Sequence, residues 1–362
     1  MNTCFFFFKG RVALYAVLKA MGIKEGDEVI LPGFTCVVVP NAVLYLGAKP
    51  IYAEIDTQTY NVSAETIEPL ITTRTRAVIV QNTFGLSPDL NPIMALAERH
   101  GIYVIEDCAH GLGASYRGHP AGTNTHAAFF STQWSKPIST GLGGIAHVRD
   151  NELAHKVSVI AAQIPLPGFM EQVILAAQVW VRPLADQPFL YYPLVKAYRF
   201  LTQKAGLSVG SSVGDELHTV QMPPGYLKRM GGFQRRGLQR DLKILPHRVQ
   251  QRQRTAEHYD AFFKGTSIQP PYRPDYAGHS MLRYSIRVPD KRKLLEHARK
   301  LRIPLGDWFV SPLHPVEGDL SQWGYTAGQC PVAEEACAEV VNLYTDRALS
   351  RQQLSALFDG ML

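Results

Sequence analysis

The sequence predicts an α/β fold: a large, mostly parallel sheet covered by helices, followed by a smaller C-terminal α/β domain. Three observations carry this expectation. From residue 12 to about residue 108, short apolar runs alternate with segments of helical period. The strand-like runs are apolar on successive residues rather than on every second one, as strands buried on both faces are. A second, shorter alternation of strand and helix follows residue 280.

The elements follow in order. Residues 12–22 (VALYAVLKAMG) carry apolar side chains at helical spacing and stop at Gly22; the turn KEGDE and the short β-rich run VILPGF come next. The spacing then predicts a helix near 36–46, the strand PIYAEI, a helix over 63–71 with Ser63 as N-cap, and the strand AVIVQN at 77–82. A helix over 89–100 and the strand YVIEDC at 103–108 complete the series. From about 158 to 225 the composition changes to Pro, aromatic and aliphatic residues with very few acids, and reads as an insert or lid. From 233 a helix rich in Arg and Gln leads to the strand LRYSIRV, the helix DKRKLLEHARKLRI and a further helix, PVAEEACAEVVNL. The division expected is a large domain over 1–232 and a linking helix with the small domain over 233–362.

Composition narrows the function. With 46% hydrophobic and 19% charged residues in 362, the chain is neither disordered nor fibrous. Its five cysteines are scattered without CxxC spacing, so neither a disulfide framework nor a zinc site is expected, and a reducing cytoplasm is. The four phenylalanines near the start form too short an apolar run, with no basic segment before them, for a signal peptide. A net charge of +6 and a pI near 9.0 favour an anionic partner. Helix-turn-helix, RNA-recognition and zinc-finger signatures are all missing, so nucleic acid is not expected.

Ligands of parallel sheets sit beyond the carboxyl ends of the strands, which singles out Thr35, Asn82, Asp107, His110, Ser131 and Lys136. One lysine, Lys136, stands in the Ser/Thr/Gly-rich run FFSTQWSKPISTGLGG straight after an apolar strand. Alone it reads as a solvated loop charge. Asp107 alone reads as a cap for the turn after its strand, and His110 as an interior histidine. Together they match the needs of pyridoxal phosphate: a lysine amine for a Schiff base, a carboxylate for the pyridinium nitrogen and donors for the phosphate. Lys136 and Asp107 are the first two. Ser131 and the backbone around Gly10 and Arg11, at the start of the first helix, are the phosphate candidates.

The stretches GDEVILPGFT (26–35), NAVLYLGAKPIYAEID (41–56), VIEDCAHGLGASYRG (104–118), FFSTQWSKPISTGLGG (129–144) and CPVAEEACAEVVNL (330–343) resemble the DegT/StrS sugar aminotransferases, of the aspartate-aminotransferase-like fold type I. The resemblance covers most of residues 10–150 and 228–362. It implies that Lys136 binds the coenzyme covalently, that Asp107 pairs with its ring nitrogen, and that His110 lies close to the ring. It further implies Ser131 on the phosphate, Arg229 in the place of an Asn-x-Arg arginine, and His314 in the place of a substrate-side histidine. The implied reaction moves an amino group from an amino acid, glutamate by analogy, to a keto sugar carried on a nucleotide, in cell-surface polysaccharide or natural-product sugar biosynthesis. A homodimer with shared active sites is implied as well.

Several positions depart from the family pattern. Gly10-Arg11 replaces the Gly-Thr before the first helix, so a guanidinium stands in place of a hydroxyl. Cys36 takes the place of the aromatic that stacks on the coenzyme ring. Leu227 replaces the asparagine lent by a neighbouring subunit, His126 an acid, and Leu142 the glutamate of the Gly-rich end. Only nine residues precede Gly10, where relatives have a segment that shapes the substrate pocket. These changes leave the coenzyme set in place and alter the substrate side. They also keep open a non-catalytic, regulatory or membrane-associated relative. A dehydratase branch of the family carries histidine where this chain has Lys136, which argues against that branch. The aromatic and basic stretch 158–206 suits either a peripheral membrane contact or an oligomer interface.

Overall fold

The computed structural model describes residues 3–185 and 214–360. In chain order the first half contains β1 (Cys4–Phe7), α1 (Gly10–Ala20), β2 (Glu28–Pro32), β3 (Thr35–Cys36), α2 (Val38–Leu44), β4 (Lys49–Ala53), α3 (Ala64–Ile67), β5 (Thr75–Gln81), α4 (Leu90–His100) and β6 (Tyr103–Asp107). The short strands β7 (Ser115–Tyr116) and β8 (His119–Pro120) follow, then β9 (Ala127–Ser131), β10 (Gly144–Val148), α5 (Asn151–Gln163) and α6 (Phe169–Ala185). After the insert come α7 (Gly232–Phe263), β11 (Ala277–Gly278), β12 (Arg283–Arg287), α8 (Lys291–Lys300), β13 (Leu313–His314), α9 (Pro331–Glu339), β14 (Val340–Tyr344) and α10 (Arg351–Leu357).

Seven strands form the main sheet in the order β1-β10-β9-β6-β5-β2-β4. The five from β9 to β4 run parallel, as the continuous apolar runs predict, and every residue of β2 and β9 is buried. The remaining two are antiparallel: β10 returns beside β9, and β1 pairs with β10. The phenylalanine run at the start is therefore an edge strand. Phe5 and Phe7 face inward at 8% and 0% exposure while Phe6 stays half-buried, the period-2 pattern of a strand.

Helix ends follow local chemistry. Gly101 ends α4 in the left-handed conformation at φ 62°. The helix expected over 63–71 starts after Ser63 but is α-helical only to Ile67; a tighter turn over Glu68–Leu70 follows, where Pro69 lacks the N–H an α-helix needs. A larger correction concerns PVAEEACAEVVNL. The helix stops at Glu339, and Val340–Tyr344 are a strand paired antiparallel with β12. Two successive valines suit a pleated ladder, and β12 supplies the partner that decides the matter.

A second core lies around this ladder, where Tyr259 and Phe263 of α7 meet Tyr284, Ile286, Leu294, Val341, Leu343, Leu354 and Phe358. Thus α7, 32 residues long with Pro246 inside it, reaches from the main sheet into the C-terminal unit. The expected insert is represented by the end of α5, by α6 and by the segment after Gly214; residues 186–213 lie outside the described residues. On α6 and the turn before it, Leu166, Phe169, Met170 and Trp180 are exposed. Among the described residues no helix is long and apolar enough to cross a membrane.

Candidate active site

The parallel register aligns the strand ends that carry chemistry. Gln81 lies opposite Asp107, and Asp107 opposite Phe129, so Ser131 projects one step farther along β9. Asn82, just past β5, is wholly buried and donates from Nδ2 to Glu106 Oε1 at 3.0 Å, which fixes the end of the acid strand. Thr35 donates to Gln81 Oε1 at 2.8 Å, and Gln81 donates to the Phe34 carbonyl and to Thr83. These two predicted positions brace the strand ends.

The start of α1 is pressed against the end of β9. A Cβ at Gly10 would stand 3.1 Å from Ser131 Cβ and from the Phe130 carbonyl, and one at Gly144 would overlap the Lys9 carbonyl and Gly10 N. The glycines permit this approach, which brings the Ser131 hydroxyl beside a helix N-terminus, a natural seat for an anion. Arg11 is engaged differently from the expectation that its guanidinium serves the phosphate. It is buried and makes an ion pair with buried Glu216 at 2.6 Å, with Lys9 at 3.7 Å from the same carboxylate oxygen.

Lys136 sits in a loop held shut at its base. Thr132 and Thr140 join hydroxyls at 2.7 Å, Thr132 N–H donates to the Gly143 carbonyl, and Arg252 Nη2 donates to the Pro137 carbonyl at 3.1 Å. Lys136 is half-buried, and its amine is directed at the Trp308 indole, 4.9 Å from the ring centroid. Burial pulls its pKa down from 10.5 to about 8; Cys36 and Asp107 push it up, and Arg283 and Arg11 push it down again.

Asp107 is buried and accepts the Ala109 N–H at 2.8 Å. Burial raises its pKa to about 6, tempered by that hydrogen bond and by the Lys136 charge. His110 accepts the Phe84 N–H at Nδ1 (3.4 Å), and burial together with the Lys136 charge holds its pKa well below the ordinary value. It is neutral at physiological pH, with its other ring nitrogen carrying the proton.

Cys36 and His314 face each other across the β3–β13 bridge. His314 lies within reach of the Lys136 charge, and burial lowers its pKa to about 4. Arg229 is placed apart: it bridges Phe7, donates its N–H to the Pro165 carbonyl, and leaves Nε without a hydrogen-bond partner. Among the described residues no hydrogen bond, ion pair or ring contact joins it to Lys136. Two site residues escaped the sequence reading. Trp308 stacks on His110 with ring centroids 4.8 Å apart and planes at 2°, and Lys136 Nζ lies 4.9 Å from the indole centroid. Arg283 stacks on the same indole at 4.8 Å. A basic residue inside the apolar strand LRYSIRV was the one available signal.

Residues 4–167 and 196–361 match the DegT/DnrJ/EryC1/StrS aminotransferase family. The chain belongs to it. Among relatives of this aminotransferase-family chain, GDP-perosamine synthase of Caulobacter vibrioides is 42% identical over 154 residues, 42% of this chain and 42% of that protein. The match thus spans about two fifths of that relative's length. UDP-2-acetamido-2-deoxy-3-oxo-D-glucuronate aminotransferase of Pseudomonas aeruginosa is 28% identical over 337 residues, 92% of this chain and 78% of the relative. The PLP form of a putative sugar aminotransferase from Streptococcus pneumoniae superposes with a TM-score of 0.72 at 20% identity, covering 99% of this chain and 86% of that one. The fold is that of the PLP-dependent aminotransferases of fold type I, and pyridoxal 5'-phosphate is the coenzyme that goes with it.

The residues of this family member fit that coenzyme. The inward lysine, the buried acid and the glycine-lined seat beside Ser131 supply an amine, a counter-charge and an anion site at the ends of adjacent strands. A pH dependence follows from the lysine. Only the neutral amine can attack an aldehyde. Coenzyme capture by the coenzyme-free chain should therefore accelerate about tenfold per pH unit below 8 and level off above about 8. Stopped-flow absorbance across pH 6–10 checks this; acceleration continuing past pH 10 would mean an ordinary, solvated lysine.

Proposed function

We propose that this chain is a PLP-dependent aminotransferase that moves an amino group from an amino-acid donor, glutamate, to a keto sugar, carried on a nucleotide. The observation that carries the reading is the inward Lys136 with its depressed pKa, set against the buried Asp107 at the end of a neighbouring parallel strand.

Lys136 would hold the coenzyme, Asp107 would pair with its ring nitrogen, and Ser131 with the backbone at Gly10 and Arg11 would take its phosphate. When bound, the coenzyme supplies a carbonyl that exchanges for the amino group and a ring that accepts electrons from the breaking bond. Lys136, neutral in an appreciable fraction near pH 8, takes the proton from the donor's α-carbon and returns one to the acceptor's carbon. Asp107, as a carboxylate, would favour a proton on the ring nitrogen it faces. His110, neutral and fixed by the Phe84 N–H, adds a polar edge without a competing charge. The Trp308 indole flanks the lysine amine at 4.9 Å.

A nucleotide diphosphate agrees with the net charge of +6. We take the working unit to be a homodimer, with the exposed Leu166, Phe169, Met170 and Trp180 as surface for the second copy and Arg229 reaching its site. His314, near Lys136, is assigned to the substrate side.

The purified chain with added pyridoxal phosphate should show visible absorption from the lysine-bound coenzyme, and glutamate should bleach it. Absorption that no amino donor changes would sink the reading and favour a non-catalytic relative.

A further inference from the structure

We propose that Arg283 anchors the carboxylate of the amino donor, holding it on the Trp308 side of Lys136. The inference rests on the aminotransferase reading and names the recognition element that reading leaves unassigned. Arg283 is 6% exposed, yet it forms no ion pair among the described residues. Its hydrogen bond goes from Nη1 to the Leu282 carbonyl at 2.9 Å. The guanidinium is clamped between two aromatic faces, 4.8 Å from the Trp308 centroid and 4.5 Å from the Tyr344 centroid.

Burying a guanidinium without an anion is costly, and the fold does it beside a lysine whose positive charge adds repulsion. Arg252 repeats the pattern behind the lysine loop: it is also 6% exposed, and its Nη1 has no hydrogen-bond partner. The acid that acts on both arginines, Asp346, is exposed and ion-paired with neither among the described residues. Such a constellation is completed by an anion that arrives with the substrate.

Geometry selects which anion. The donor's carboxylate is bonded to the carbon whose proton Lys136 removes, so it must lie within a few bonds of Nζ. Lys136 Nζ and Arg283 Cζ touch one indole ring, at 4.9 and 4.8 Å from its centroid. Stacking fixes the plane of the guanidinium and leaves its edge for a two-pronged grip on a carboxylate.

The test compares wild type, Arg283→Gln and Arg283→Lys as coenzyme-loaded proteins. Bleaching of the visible absorption is titrated with glutamate and with 1-propylamine, which lacks a carboxylate, and glutarate binding is measured by calorimetry. In R283Q the ratio of glutamate to propylamine efficiency should fall roughly tenfold or more, as expected for a charged hydrogen-bonded pair. R283K, which keeps the charge without the fork, should fall between. Glutarate heat should be present in wild type and lost in R283Q. Equal losses for both amines, or glutarate binding unchanged by R283Q, would overturn the inference and leave Arg283 a packing residue. If glutarate binding needs Arg283 but glutamate never bleaches the absorption, the anion site stands and the aminotransferase reading falls. If only binding of an acidic keto sugar responds to R283Q, the carboxylate belongs to the acceptor and the donor assignment is overturned.

Discussion

Replacing Lys136 with alanine abolishes covalent coenzyme attachment and lowers the first half-reaction by at least about 1,000-fold, because one side chain acts as both attachment point and proton carrier. The loop should survive the change. Its closure rests on the Thr132–Thr140 hydroxyl pair and on Arg252 gripping the Pro137 carbonyl, none of which involves the lysine amine. The variant should melt close to wild type, show no visible absorption after borohydride-free gel filtration, and recover part of its rate with added primary amines. A variant that still retains the coloured coenzyme would place the attachment elsewhere.

Asp107→Asn is the second large effect. An asparagine keeps an oxygen for the Ala109 N–H and loses only the charge. Asparagine cannot keep a proton on the coenzyme's ring nitrogen, so the half-reaction with glutamate should slow by about 1,000-fold, while the coenzyme-free variant should melt no lower than wild type above pH 6. The coenzyme-free chain offers an independent readout. Asp107 titrates at 3.8 when unfolded and at about 6 in the folded chain. The unfolded chain therefore ionises first as pH rises, and the folded state loses stability between those two values. D107N should remove that part of the slope. Wild-type speed in D107N would take Asp107 out of the mechanism.

The contrast between these residues and those found later shows where sequence reading stops. Asp107, Ser131 and Lys136 were legible because strand ends are set by local pattern, and a parallel register carries them to the same side of the sheet. Trp308 and Arg283 were not. Each reaches the site by tertiary packing from the C-terminal part of the chain, which no spacing encodes. Arg11 was placed on the right helix, but its side chain pairs with Glu216, a residue remote in sequence. The tail beginning at Pro331 misled for a related reason. Helical period continues through Val340 and Val341, and only the presence of β12 turns those residues into a strand. Cys36, His110 and His314 do gather near Lys136, whereas Arg229 stands away from it within one chain.

The long helix α7 carries Arg252 against the lysine loop near its middle and Tyr259 and Phe263 into the second core at its end. A junction at residue 232 would separate the lysine loop from the arginine that grips it. Any exchange of the C-terminal part between relatives also exchanges the arginine that steadies the lysine loop. A chimera joined beyond Phe263 keeps that arginine with its own lysine loop but sets Tyr259 and Phe263 against the other parent's second core.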